Sequence, residues 1–210
     1  MDGMDWSAIG TWTGTLALGI GLAAVAGIRA WLPLLAAGVA ARLGLVTLGH
    51  NFEFVASAPA LVLFAVATVV ELVGDKFPAV DHALDAAGTV VRPAAGALLA
   101  AATMYQIESP LLACVLGLCV GAPTAMVPHA TKAAARAASS TFTFGLANPM
   151  LSFAEDGVAM TMLALAFIVP ALVVVAFVAG ALIALWWIRS RAAKKRAAGE
   201  VAGAPAAEVA

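Results

Sequence analysis

The sequence predicts an all-α, polytopic integral membrane protein with five to seven membrane segments, some of them broken or re-entrant. Three observations carry this reading. Hydrophobic residues make up 63% of the 210 residues and charged residues only 11%. The mean hydropathy of +1.02 lies outside the balance of soluble domains. Several apolar windows also reach the roughly 20 residues that a hydrocarbon core of about 30 Å requires of a helix. The net charge is −1; the basic residues are dispersed and form no aromatic-basic groove, which argues against nucleic acid as a partner.

The opening MDGMDWSAIG is acidic, unlike the basic start of a secretory signal. Residues 1–13 therefore read as a short N-terminal segment, and the first apolar stretch as retained. That stretch, from about Gly14 to Leu43, is too long for one straight span and is interrupted by Arg29 and Pro33. It predicts a kinked helix, or a helix followed by a shorter, broken one. After the link GHNFEF a second span is expected at about Val55 to Val73. The hinge ELVGDKFPAVDHALD then gathers Glu71, Asp75, Lys76, Asp81, His82 and Asp85. Apolar segments follow at Pro93 to Tyr105 and Pro110 to Val127, then the basic stretch HATKAAARAASS and a segment opened by Asn148-Pro149.

The last uncharged run, Gly157 to Ile188, would reach about 48 Å as an unbroken helix, so a kink is expected at Pro170. Two tryptophans and five basic residues in WWIRSRAAKKR predict a cytoplasmic tail on a multi-pass protein of the inner (plasma) membrane. Residues 14–190 form the expected transmembrane domain, and residues 191–210 a basic and then disordered tail. Cys114 and Cys119 lie five apart without His or further Cys at ligand spacing, and read as packing residues. One pattern suggests an internal repeat: Lys76 precedes Arg92-Pro93-Ala-Ala-Gly96 by the same interval that separates Lys132 from Asn148-Pro149-Met-Leu-Ser152. Duplicated halves are common in transporters.

Ionisable groups inside a bilayer cost roughly 2.5 to 3.5 kcal/mol each on insertion scales and so tend to face partners, cavities or pathways. Three constellations stand out. If residues 79–92 are helical, Asp81, Asp85, Thr89 and Arg92 share one face, as Glu71 and Asp75 do upstream of Pro78. His129, Lys132, Arg136 and Ser140 share another; they read either as a solvated surface helix or as a cationic site suited to carboxylate or phosphate oxygens. The third is a pair of X-Pro breaks. Asn148 is a favourable N-cap before Pro149, and Arg92-Pro93 reads as a second helix start. Within the membrane, two such starts would offer backbone N–H groups to an anion; at the interface, Arg92 would merely snorkel. Ser152, Glu155 and Asp156 lie just inside the final span. Glu155 and Asp156, being adjacent, point about 100° apart and are expected to meet different partners.

These residues resemble the bacterial membrane-protein family described as domain of unknown function 4126. The resemblance rests on GIRAWLPLLAAGVAARLG at 27–44, ELVGDKFPAVDHALDAAGTVVRPAAGALLAA at 71–101 and HATKAAARAASSTFTFGLANPMLSFAED at 129–156. It covers most of the chain between Gly14 and about Gly180, implies a membrane fold and brings no activity with it.

The leading functional expectation is a small transporter or permease-like protein whose polar site holds an anionic group, a phosphate or lipid phosphate among the candidates. Arg92, Lys132, Arg136, His129, Asn148 and Ser152 are the expected binding residues. Glu71, Asp75, Lys76, Asp81, Asp85, Glu155 and Asp156 would balance charge or couple protons or cations. No catalytic residue, resident metal or cofactor is expected. The partners would be membrane lipids and a small anionic or lipid-linked ligand, and a homo-oligomer is compatible with the sequence. Two alternatives remain open. One is an intramembrane enzyme acting on a lipid-linked substrate, with Asp75, Asp81 and Asp85 as oxygen ligands for Mg²⁺ and His129 as base. It lacks any His-Glu-x-x-His, nucleophile-elbow or phosphate-loop motif. The other is a structural or regulatory component in which the charges fasten helices together.

Overall fold

The computed structural model describes residues 6–144, 146–170 and scattered positions between 172 and 190. The expected disordered tail at 191–210 lies outside the described residues. The chain divides into two units at Val174 and Val175. In the second, the described positions, Trp186 among them, are helical.

The first unit is helical among its described residues. Helix α1 (Trp6–Ile28) is followed by the short α2 (Trp31–Arg42), a 3-10 helix (His50–Ala56) and α3 (Ala58–Gly74). Helices α4 (Pro78–Thr103), α5 (Pro110–Thr143) and α6 (Asn148–Ile168) complete it. Among the described residues four helices are long and apolar enough to cross a membrane, and the 3-10 helix with α3, bent by 56°, makes a fifth span if counted as one. The chain is thus a multi-pass, all-α membrane protein.

Local chemistry sets the helix starts. Ser57 caps α3 by accepting from the Ala60 N–H at 3.3 Å, and Ser109 caps α5 by accepting from Leu112 at 3.4 Å. Proline sits in the first turn of both and also opens α4, where a missing N–H costs nothing. At the far end, α6 stops before Val169 (φ −140°, ψ 73°). Pro170 disfavours helical backbone in the residue before it, so the expected break in the long last run is present.

Two expectations are corrected. Arg92-Pro93 is not a helix start: α4 runs through Pro93 without interruption. Proline removes one intrahelical bond there, and a helix packed against α1 and α5 tolerates that loss inside a membrane protein. Likewise α5 continues through Pro123 and Pro128, so the apolar segment and the basic stretch form one 34-residue helix. The positions matched at the 56-residue interval consequently differ in local structure. Lys76 lies in a turn and Lys132 in mid-helix, while Pro93 is interior and Pro149 sits in a first turn.

Helices α1, α4 and α5 pack through small residues. A Cβ on Gly96 would strike the Gly121 carbonyl, one on Gly121 would strike Gly96, and one on Gly27 would strike the Ala125 backbone. Without side chains in the way, the backbones touch, which is how apolar helices gain van der Waals contact when lipid competes for the same surface. Leu22, Val25, Leu99, Ala100 and Ala125 are fully or almost fully buried along this seam. Cys114 and Cys119 are exposed and unbridged. The buried stripe of α5 passes through Ala113, Gly117, Gly121 and Ala125, so both thiols fall off the packed face instead of filling it.

Candidate functional site

The charged residues gather where α1 and α3 end and where α4 and α6 begin. Among the described residues this network joins five cations, Arg29, Lys76, Arg92, Lys132 and Arg136, to six carboxylates, Glu71, Asp75, Asp81, Asp85, Glu155 and Asp156. With each group in its ordinary state it carries one net negative charge.

The break between α1 and α2 is built by charge. After the apolar α1, Arg29 still donates its backbone N–H to Val25 at 2.9 Å. The next two N–H groups, of Ala30 and Trp31, donate to the Glu71 carboxylate at 3.2 and 3.4 Å. Glu71 of α3 thus caps α2 from a distance, a carboxylate at the positive end of a helix. Arg29 itself is 1% exposed. Its Nη2 meets Asp75 and Asp156 closely, lies 3.9 Å from Glu155, and donates to the Ser152 carbonyl and hydroxyl at 3.4 Å each. Sequence reasoning read Arg29 only as an interruption of an apolar run. Its signal was present: a permanent charge between two apolar segments needs buried partners unless it reaches an interface.

On α4, Asp81, Asp85 and Arg92 share the expected face, while Thr89 is exposed and bonds back to the Asp85 carbonyl. Arg92 lies eleven residues from the C-terminal end of α4, about 16 Å of helix. Its guanidinium reaches Asp85 at 3.3 Å, Glu71 at 3.8 Å and the Nδ1 of His129 in close contact. Arginine can only donate, so a hydrogen bond in this contact has His129 Nδ1 as its acceptor.

The basic face of α5 is buried and does not form a solvated surface. His129, Lys132 and Arg136 are 7%, 6% and 5% exposed. Arg136 grips Glu155 with two parallel bonds, Nε to Oε1 at 3.0 Å and Nη2 to Oε2 at 2.8 Å, and contacts Asp81 through Nη1. Such a fork is the strong form of a guanidinium–carboxylate pair. Lys132 reaches the same Oε2 at 3.0 Å and Asp85 at 3.6 Å. Lys76 bridges Asp75 at 3.0 Å, Asp156 at 2.8 Å and the Ser152 hydroxyl at 2.5 Å, with its ammonium 4.6 Å above the Phe153 ring.

Glu155 meets Lys132 and Arg136 and Asp156 meets Lys76, but the expectation of separate partners is corrected, because the long Arg29 side chain reaches both carboxylates. Asn148 does not join the network. It is the first residue of α6, the cap position belongs to Ala147 without a side-chain bond, and the Asn148 amide donates to Ser140 at 3.4 Å. The expected facing pair of X-Pro breaks is therefore absent, since α4 has no break to offer.

Burial is uneven across the network. Arg29, Arg92, Asp75, Lys132 and Arg136 have almost wholly buried side chains, whereas Asp85, Lys76 and Asp156 are each about a quarter exposed. These three form the rim. Inside it, Nε and Nη1 of Arg29 and Nε of Arg92 have no hydrogen-bond partner among the described residues. Asp75 Oδ2 and Asp156 Oδ1, both beside Arg29, likewise accept no hydrogen bond among the described residues. Buried polar atoms without partners cost about 1–3 kcal/mol each, so the network has unused donors and unused acceptors. A cavity of about 40 Å³ opens beside Glu71, lined by Ala30, Trp31, Leu84, Gly88 and Val91, enough for a single water. A larger cavity, about 800 Å³, lies elsewhere and is mainly apolar, between α1, α2 and Phe167.

A family model described as "domain of unknown function (DUF4126)" matches residues 16–190. Neither the curated proteins nor the solved structures contain a match. The matched range takes in every residue of the charge network, and the chain belongs to the DUF4126 family.

Proposed function

We propose that this protein is a small permease of the bacterial inner membrane, its tail in the cytoplasm, and that the charge network binds an oxyanion in transit. The observation that supports this is the combination of burial and unused donors at Arg29 and Arg92. A network whose only task is to hold helices together gains nothing from a guanidinium with two unpartnered nitrogens. Arg29, Arg92, Lys132 and Arg136 supply charge and directional donors, with His129 and Ser152 fixing the orientation of Arg92 and Arg29. The rim groups Lys76, Asp85 and Asp156 part to admit the ligand, and the surrounding carboxylates hold the cations between ligands. Asn148 and Ser140 stand at the mouth of the α5–α6 turn, outside the binding set.

The test is oxyanion uptake into proteoliposomes carrying the full chain. Arg92→Gln is expected to stop uptake while the protein stays helical and inserted. Undiminished uptake in that variant contradicts the proposal.

A second reading has its own support: each of the five cations of the network already has a carboxylate within 4 Å. On that reading the network is a fastener that fixes helix register.

A further inference from the structure

Glu155 occupies an unusual place. Its carboxylate is the meeting point of three cations from two other elements: Arg136 at 2.8 and 3.0 Å, Lys132 at 3.0 Å and Arg29 at 3.9 Å. Both oxygens are engaged, in the fork-to-fork geometry that guanidinium groups use for carboxylate, sulfate and phosphate alike.

We infer that Glu155 is a built-in stand-in for the ligand: its carboxylate fills the oxyanion subsite formed by Arg136, Lys132 and Arg29, and a tetrahedral oxyanion enters by displacing it. This rests on the oxyanion-binding reading above and deepens it. The tetrahedral class follows from the donors. A carboxylate has two oxygens, and both are used by Arg136 and Lys132. Arg29 stays out of reach, its Nη2 3.9 Å from Oε2; a sulfate- or phosphate-type group carries a further oxygen to meet it.

Glu155 has rivals for these cations: Asp85 shares Lys132, Asp81 and Asp75 share Arg136, and Asp156 shares Arg29. An entering anion therefore competes with Glu155 for the three cations, and those other carboxylates keep their own contacts to them.

The experiment uses the full chain in phosphatidylcholine nanodiscs titrated with methyl sulfate, a tetrahedral monoanion whose charge is fixed at neutral and mildly acidic pH. Calorimetry reads the affinity. Glu155→Gln, which cannot compete as an anion, is expected to bind about tenfold tighter or more than the wild type if the stand-in holds the subsite nine-tenths of the time. Glu155→Asp, which keeps the charge on a side chain too short to reach Arg136 and Lys132 as well as glutamate does, is expected to bind tighter than the wild type too, and keeps the test decisive if Glu155→Gln folds poorly. Discs containing phosphatidylglycerol identify the source of the ligand: competition with methyl sulfate assigns the subsite to a lipid phosphate, and no competition assigns it to a free oxyanion. Wild-type binding at an affinity that neither variant improves overturns the role of Glu155 and leaves the site standing. Absence of binding in all three proteins, in both kinds of disc, overturns the site and the inference together.

Discussion

The two ends of the bundle are held together by opposite means. Toward the α4–α5 turn, α1, α4 and α5 meet through glycine and alanine, backbone against backbone, with Thr103 bonding back to the carbonyls of Leu99 and Ala100. At the other end, long charged side chains fill the space between helices and reach across it. The small-residue end tolerates no added atoms and needs no chemistry beyond close packing. The charged end is costly to build, because each buried ion forfeits its hydration and recovers it only through well-placed partners. A protein that needed only to hold its helices together had the cheaper solution already in use at one end.

Perturbing each end in turn sharpens the contrast. The largest effect is expected from Arg29→Met, which leaves Asp75 and Asp156 without their shared guanidinium; the loss is about 3–5 kcal/mol, read as a fall in the unfolding midpoint in a fixed detergent. Gly121→Ala at the packed end is expected to cost about 1–3 kcal/mol by overpacking, because its methyl group lands on the Gly96 backbone. A shift no larger than that of an exposed control would show that α4 and α5 are not in backbone contact. Lys76→Met is expected to cost about 1 kcal/mol or less, since the ammonium is at the quarter-exposed rim and Asp75 keeps Arg29. If Lys76→Met proves as damaging as Arg29→Met, the gradient from rim to interior is wrong.

The sequence announced the helices and most of the charged groups, and the reasons are local. Apolar run length and proline in first turns are readable one segment at a time. So is the shared face of Asp81, Asp85 and Arg92. What the sequence hid depends on neighbours. Pro93 looks like a boundary until α1 and α5 support the helix on either side of it. Arg29 looks like an interruption until Asp75, Ser152 and Asp156, distant in sequence, close around it. The cap that Glu71 places on α2 spans 41 residues, and no short-range pattern encodes it.

The central claim is that these charges serve a ligand in addition to joining helices, and replacing one ion pair by neutral groups of similar shape tests it most directly. Lys132→Met combined with Glu155→Gln removes a buried cation and its carboxylate together, and such paired replacement is often neutral or stabilising. The double variant, reconstituted beside the wild type, is measured for unfolding midpoint and oxyanion uptake. The account predicts a midpoint near or above that of the wild type with uptake lost. A stable double variant that retains full uptake would contradict it and leave the network as a fastener.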